Sequence, residues 1–207
     1  MKHVLAICLA AAPVFAQANL LQNGSFEANS QALGSRWSFL SNPAGGWLTP
    51  RGAVELHTRS YASPSAQEGS NAIELEGQCG FCQLSQSFAT VVGQSYEISF
   101  WIAQRFDSLG APSNGLTWQV SASPAVELVG QDNNKSWTQI RRNFLANESQ
   151  TTLTFAAAGA QDGYGTLLDD VSIVPLSPIP EPPSYGLMGA GLVVILCAAW
   201  RRKNKKR

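Results

Sequence analysis

Histidine and cysteine are scarce in this chain. Of its two histidines only His57 lies beyond the first eighteen residues, and of its four cysteines only Cys79 and Cys82 lie outside the two apolar ends. A zinc site built from Cys and His normally takes four ligands, so three candidates fall short. A Ser–His–Asp arrangement would have to use His57, which sits between Leu56 and Thr58 in a strand-like run with no nucleophile motif around it. The carboxylates Glu74 and Glu76 share a strand face, whereas glycosidase chemistry needs two carboxylates opposed across a cleft. With no catalytic constellation in view, the chain reads as a non-enzyme.

Positive charge is also missing from most of the chain. Lys2 and the six basic residues Arg201, Arg202, Lys203, Lys205, Lys206 and Arg207 make up half of the fourteen Lys and Arg. All fourteen carboxylates lie from Glu27 to Glu181, against seven basic residues in the same stretch. Such an acidic body offers no patch to nucleic acid or to anionic lipid. At about 160 residues it suits one domain with a real hydrophobic core.

Both ends read as targeting segments. Residues 1–18 carry Lys2, an apolar run from Val4 to Phe15, and small residues at Ala16 and Ala18. That is the layout of a secretory signal peptide, with the mature chain starting at Asn19 and the secretion machinery as partner. About a dozen apolar residues are too few for a spanning helix. At the other end a Pro-rich linker, 176–183, precedes an apolar run at 184–200, which at about 1.5 Å per residue makes roughly 25 Å of helix. A hydrocarbon core is about 30 Å thick, so this is a transmembrane helix at its short limit. The basic cluster at 201–207 stays in the cytoplasm and places the body outside.

Between these ends, helical periodicity is absent and period-two patterning recurs. "SYEISFWIAQ" sets Tyr96, Ile98, Phe100 and Ile102 on one face and Glu97, Ser99 and Trp101 on the other. "LTWQVSA" and "TTLTFAA" repeat the pattern, and "GAVELHT", "NAIELEG", "CQLSQSF", "WTQIRRNF" and "TLLDDVSIV" are further strand candidates between Gly, Asn, Ser and Pro clusters. Many short strands with turn signals between them predict an all-β fold, an antiparallel sandwich over residues 19–175. In the oxidising space outside the cytoplasm, Cys79 and Cys82 in "QCGFCQ" read as a small structural disulfide in preference to a redox centre. So short a loop would stabilise by at most about 2 kcal/mol.

Strand parity in "LLDDVSIV" puts Asp169 on the side of Val171 and Ile173, toward the core, and Asp170 on the other. A buried carboxylate must be paired, hydrogen-bonded or metal-bound. Asn23, Ser25 and Glu27 in "NLLQNGSFE" supply hard oxygen ligands that, with Asp169 and Asp170, would suit a structural calcium ion. Satisfaction of the carboxylate by backbone N–H groups where the chain ends meet is the equal alternative.

"NLLQNGSFE", "GGW" at residues 45–47, "QEGSNAIEL", "LSQSFATVVGQSYEISFWIA" and "LDDVSIV" resemble, in that order, the jelly-roll, galactose-binding-like domains typified by carbohydrate-binding modules. The resemblance implies an antiparallel jelly-roll β-sandwich, often with calcium near the paired ends. Sugar recognition wants aromatic faces beside polar groups. Trp101, outward by parity, is the first candidate platform, with Gln104 and Arg105 nearby in sequence and Trp137 and Tyr164 as the next candidates, although any one Trp is more often packing than contact.

The order Pro180-Glu181-Pro182, short glycine-bearing helix, basic cluster closely resembles the PEP-CTERM protein-sorting signal of Gram-negative bacteria that make exopolysaccharide. It implies an exosortase as partner, anchoring in the inner membrane with the domain in the periplasm, then processing near the motif and release to the cell surface or matrix. Two functions follow: a non-catalytic module that binds carbohydrate, such as exopolysaccharide, or a structural surface or biofilm protein with no defined glycan.

Overall fold

The computed structural model describes residues 18–29, 36–58, 61, 64–78, 82–108, 110–121, 126–132 and 135–176. Residues 1–17 of the expected signal peptide, Cys79, Pro180, Glu181, Pro182, the apolar run 184–200 and the basic cluster 201–207 lie outside them. Among the described residues no helix is long and apolar enough to cross a membrane.

Alternating side chains make the described residues a β structure. The strands are β1 (Trp37–Leu40), β2 (Leu48–Arg51), β3 (Val54–Thr58), β4 (Asn71–Glu74), β5 (Gln83–Ala89), β6 (Ser95–Gln104), β7 (Leu116–Val120), β8 (Glu127–Val129), β9 (Thr138–Leu145), β10 (Gln150–Ala157) and β11 (Thr166–Pro175). They form a six-stranded sheet, β1-β3-β4-β11-β6-β9, and a five-stranded sheet, β2-β5-β10-β7-β8. All the pairings between them are antiparallel.

The core lies between the sheets, where the period-two residues converge. Tyr96, Ile98, Phe100 and Ile102 of β6 are buried as their alternation predicts. Phe100 meets Phe155 of β10 edge-on at 5.0 Å and Trp118 of β7 at 5.8 Å, so aromatic faces from both sheets interlock. Trp47 is fully buried against Phe26, and its indole N–H donates to the Asn23 carbonyl.

The two ends of the domain close on each other at β11. β4 pairs with β11 only through Leu167 and Leu168, and the segment that starts at Asn19 runs beside the rest. Leu20 N donates to Ile173 O, Val171 N donates to Gly24 O, and the Asn19 side chain accepts from Ile173 N while donating to Val171 O. Backbone groups that would otherwise face no strand are thereby satisfied.

This junction overturns the parity argument for Asp169. The register against β6 shifts between Asp169 and Ser172, and Asp170 has φ 46°. One extra residue in β11 makes a bulge that reverses the alternation. Asp169 pairs with Trp101 on the outer face of the six-stranded sheet, while Leu168 and Val171 both point inward. Asp169 is buried by a loop and not by the core: its Oδ2 accepts from Gln67 N at 2.7 Å and Glu68 N at 3.0 Å, and its Oδ1 from Asp170 N at 2.7 Å.

Candidate functional site

The connection between β3 and β4 lies over the outer face of the six-stranded sheet. It is tethered at Tyr61 O to His57, at Gln67 and Glu68 to Asp169, and at Ser65 O to the indole N–H of Trp137. Register places the chemistry beneath it. Glu55 on β3 stands opposite Phe39 on β1 and Glu74 on β4, and His57 opposite Trp37 and Ala72.

The result is a buried charged array. His57 Nε2 is 2.7 Å from Glu55 Oε1, and Arg105 Nη1 is 3.6 Å from the same oxygen. Arg105 grips Asp107 through Nε and Nη2, each at 3.0 Å, donates to Gly163 O, and lies 5.3 Å from the Tyr164 ring centre. Glu74 Oε1 accepts from Glu76 N, and Glu76 Oε2 accepts from Tyr164 N. Burial pushes the Glu74 carboxyl up to about 8, partly opposed by the Glu76 amide and reinforced by the charge of Glu55. Burial and the nearby Asp162 also raise Glu76. Glu74 Oε2 and Glu76 Oε1 have no hydrogen-bond partner.

Beside this array the sheet presents an aromatic surface. Trp37 and Phe39 are 40% and 37% exposed and meet edge-on at 5.3 Å. Tyr61 stacks on Trp37 at 6.3 Å and 27°, and meets His57 edge-on at 5.4 Å. Period-two reading passes over all three, because β1 has only four residues and Tyr61 reaches Trp37 through a loop.

The residues expected to bind ligand are spread over two regions. Trp101 and Trp137 are half-buried, with Trp101 facing outward between Gln139 and Asp169. Arg105 is buried in the charged array with half-buried Tyr164 against it. Gln104 points elsewhere: fully buried, it donates to Ser108 Oγ and Gly110 O and lines a cavity of about 190 Å³ with Asn114, Thr166 and Val129. Its Oε1 has no partner.

Of the five candidate calcium ligands, two carboxylates are taken by amides on one loop. Glu27 Oε1 accepts from Ser70 N and Asn71 N, next to the Gln67 and Glu68 amides that hold Asp169. Asn23 spends its side chain on Ala28 N and Ala44 O. Ser25 and Asp170 are half-buried. Among the described residues, Glu55, His57 and Glu74 form a group that could hold a metal ion, their ligand atoms all lying within 4.8 Å of one another. Counting only Cys and His left the two carboxylates out. Cys82 is fully buried with Sγ 3.2 Å from Ala53 O.

Among the described residues, two stacked antiparallel sheets without α-helix make this a jelly roll with the fold of carbohydrate-binding modules. Over 77% of this chain and 99% of the other, it is similar to TmCBM61, solved in complex with β-1,4-galactotriose, with a TM-score of 0.52 and 19% identity. The likeness concerns the fold alone. The CBM22-1 xylan-binding domain of Paenibacillus barcinonensis Xyn10C is a looser match, with a TM-score of 0.47 and 18% identity over 80% of this chain and 99% of that one.

Through residues 19–174 the chain belongs to the DUF642 family, described as protein of unknown function, and residues 178–203 carry a PEP-CTERM protein-sorting motif. Halomucin of Haloquadratum walsbyi is 29% identical over 164 residues, which is 76% of this chain. The chain spans 2% of Halomucin's length.

Proposed function

We propose that this is an exported protein, sorted by an exosortase to the cell surface or extracellular matrix, whose non-catalytic sandwich binds carbohydrate. The observation that carries the binding reading is the aromatic surface of exposed Trp37 and Phe39 with half-buried Tyr61 stacked on Trp37. Pyranose rings have apolar C–H faces, and such a surface offers them aromatic rings to stack on. Half-buried Trp101 and Trp137 extend the same face.

The sorting motif supports the route. Secretion machinery exports the chain, the apolar run at 184–200 holds it in the inner membrane with the domain in the periplasm, and processing near Pro180, Glu181 and Pro182 releases it. Exopolysaccharide in the matrix is then the natural ligand. A Cys79–Cys82 disulfide belongs to the same proposal, since the domain matures outside the cytoplasm. Calcium held by Asn23, Ser25, Glu27, Asp169 and Asp170 would share Glu27 and Asp169 with the loop amides that donate to them.

The test is affinity electrophoresis of the protein recovered from the host surface, run through gels containing the host's exopolysaccharide or a β-1,4-galactan. Retardation that disappears in the double variant Trp37→Ala, Phe39→Ala supports the reading. Unretarded migration in every polysaccharide would leave a structural surface or biofilm protein in its place.

A further inference from the structure

His57 has an environment that one proton does not satisfy. Its Nδ1 lies 2.9 Å from the Tyr61 carbonyl oxygen, which can only accept, so Nδ1 carries the ring proton and donates it. In neutral imidazole that leaves a lone pair on Nε2, and Nε2 faces Glu55 Oε1 at 2.7 Å. Two lone pairs at that separation need a positive centre on or between them. Either a second proton sits on the ring or a cation lies beside it.

Glu74 favours the cation. It is fully buried, and while Oε1 is engaged by the Glu76 amide, Oε2 has no partner. A buried acceptor left unpaired is costly, and a proton on His57 does nothing for it. Arg105 supplies part of the charge as an ion pair with Glu55, but it makes no hydrogen bond to Glu74 Oε2. Its guanidinium is held in bidentate fashion by Asp107 and by Gly163 O, and comes no nearer than 3.6 Å to Glu55.

From this geometry we propose that His57 Nε2, with one carboxylate oxygen each from Glu55 and Glu74, binds a divalent transition-metal ion of the zinc class. The three residues bring their ligand atoms within 4.8 Å of one another. Tetrahedral bonds of about 2.0–2.1 Å hold ligand atoms roughly 3.3 Å apart, so the 2.7 Å contact opens by about 0.6 Å while the widest spacing, at most 4.8 Å, closes by up to about 1.5 Å. An imidazole nitrogen with two carboxylates suits zinc, whereas calcium asks for six to eight oxygens. The bond from Nδ1 to Tyr61 O is the outer hydrogen bond that fixes the tautomer and ring orientation of a metal-binding histidine. The ion would also join β3 to β4 beneath the loop that carries Tyr61.

The experiment is zinc titration by calorimetry of the full-length chain, stripped with chelator and held in detergent, with His3→Gln present to leave one histidine. One equivalent binds, and His57→Gln or Glu74→Gln weakens binding by about two orders of magnitude. Nitrogen NMR of the unsubstituted His57 supplies a readout that does not depend on a variant folding: zinc moves the Nε2 resonance and leaves Nδ1 protonated. Absence of binding at 100-fold excess, equal binding by both variants, or an imidazolium spectrum unchanged by zinc overturns the site in favour of a proton.

Discussion

Gly24 and Val171 are in backbone contact: Val171 N donates to Gly24 O at 2.9 Å, and a Cβ on residue 24 would stand 2.0 Å from Val171 O. The obstructing atom is main chain, so no rotamer change makes room. Gly24→Ala should cost about 3 kcal/mol, as overpacking of a tight junction does. Urea denaturation of the variant against the parent measures it. An unchanged midpoint would mean the N-terminal segment does not dock on β11 as described.

Asp169 should make stability fall as pH rises. Burial pushes its carboxyl to about 7 from an ordinary 3.8, with amides of Glu68, Asp170 and Gln67 opposing. Between about pH 4 and 7 the folded chain therefore binds more protons than the unfolded one, and unfolding free energy decreases across that window. Glu74, raised to about 8, acts in the same direction and carries the decline somewhat further. With chelator present, the melting temperature should be higher at pH 5 than at pH 8, and Asp169→Asn should flatten part of that slope. A melting temperature that rises over the range would contradict the placement of both carboxyls.

Two tryptophans should respond in opposite ways. Trp37 is 40% exposed, so Trp37→Ala should change stability by less than about 1 kcal/mol yet reduce polysaccharide retardation at least about tenfold, as loss of an aromatic anchor does. Trp118 packs edge-on to Phe100 between the sheets, and Trp118→Ala should cost about 3–5 kcal/mol through the cavity it leaves. Thermal melts and affinity gels on both variants separate the two roles. Equal loss of retardation in two folded variants would remove Trp37 from the binding surface.

The sorting motif makes a prediction of its own. Replacing Glu181 by Ala between Pro180 and Pro182 should leave a full-length mature chain in the membrane fraction, where the parent yields a shorter product in the surface fraction. Intact-mass measurement of both fractions decides it. Normal processing of the variant would detach the motif from cleavage.

Long alternating strands were legible because burial of one face is a local property of the sequence. "SYEISFWIAQ" coincides with β6 residue for residue, and Tyr96, Ile98, Phe100 and Ile102 point inward together. β1, β2 and β8, with four, four and three residues, are too short to show a period. Asp169 went to the wrong face because a single extra residue inverts every later side chain, and nothing in "LDDVSIV" announces it.

What the sequence determined alone was the class: an all-β body with a core of alternating apolar residues, an acidic composition, and a terminal sorting motif, all of which depend on order along the chain. Tertiary structure decided the site. His57 has no ligand neighbour by counting cysteines, but strand register sets Glu74 opposite Glu55, and the loop that passes over them brings Tyr61 to both His57 and Trp37. Contacts between residues far apart in sequence depend on which strands pair and in what register, and that choice is made by packing of the whole sandwich.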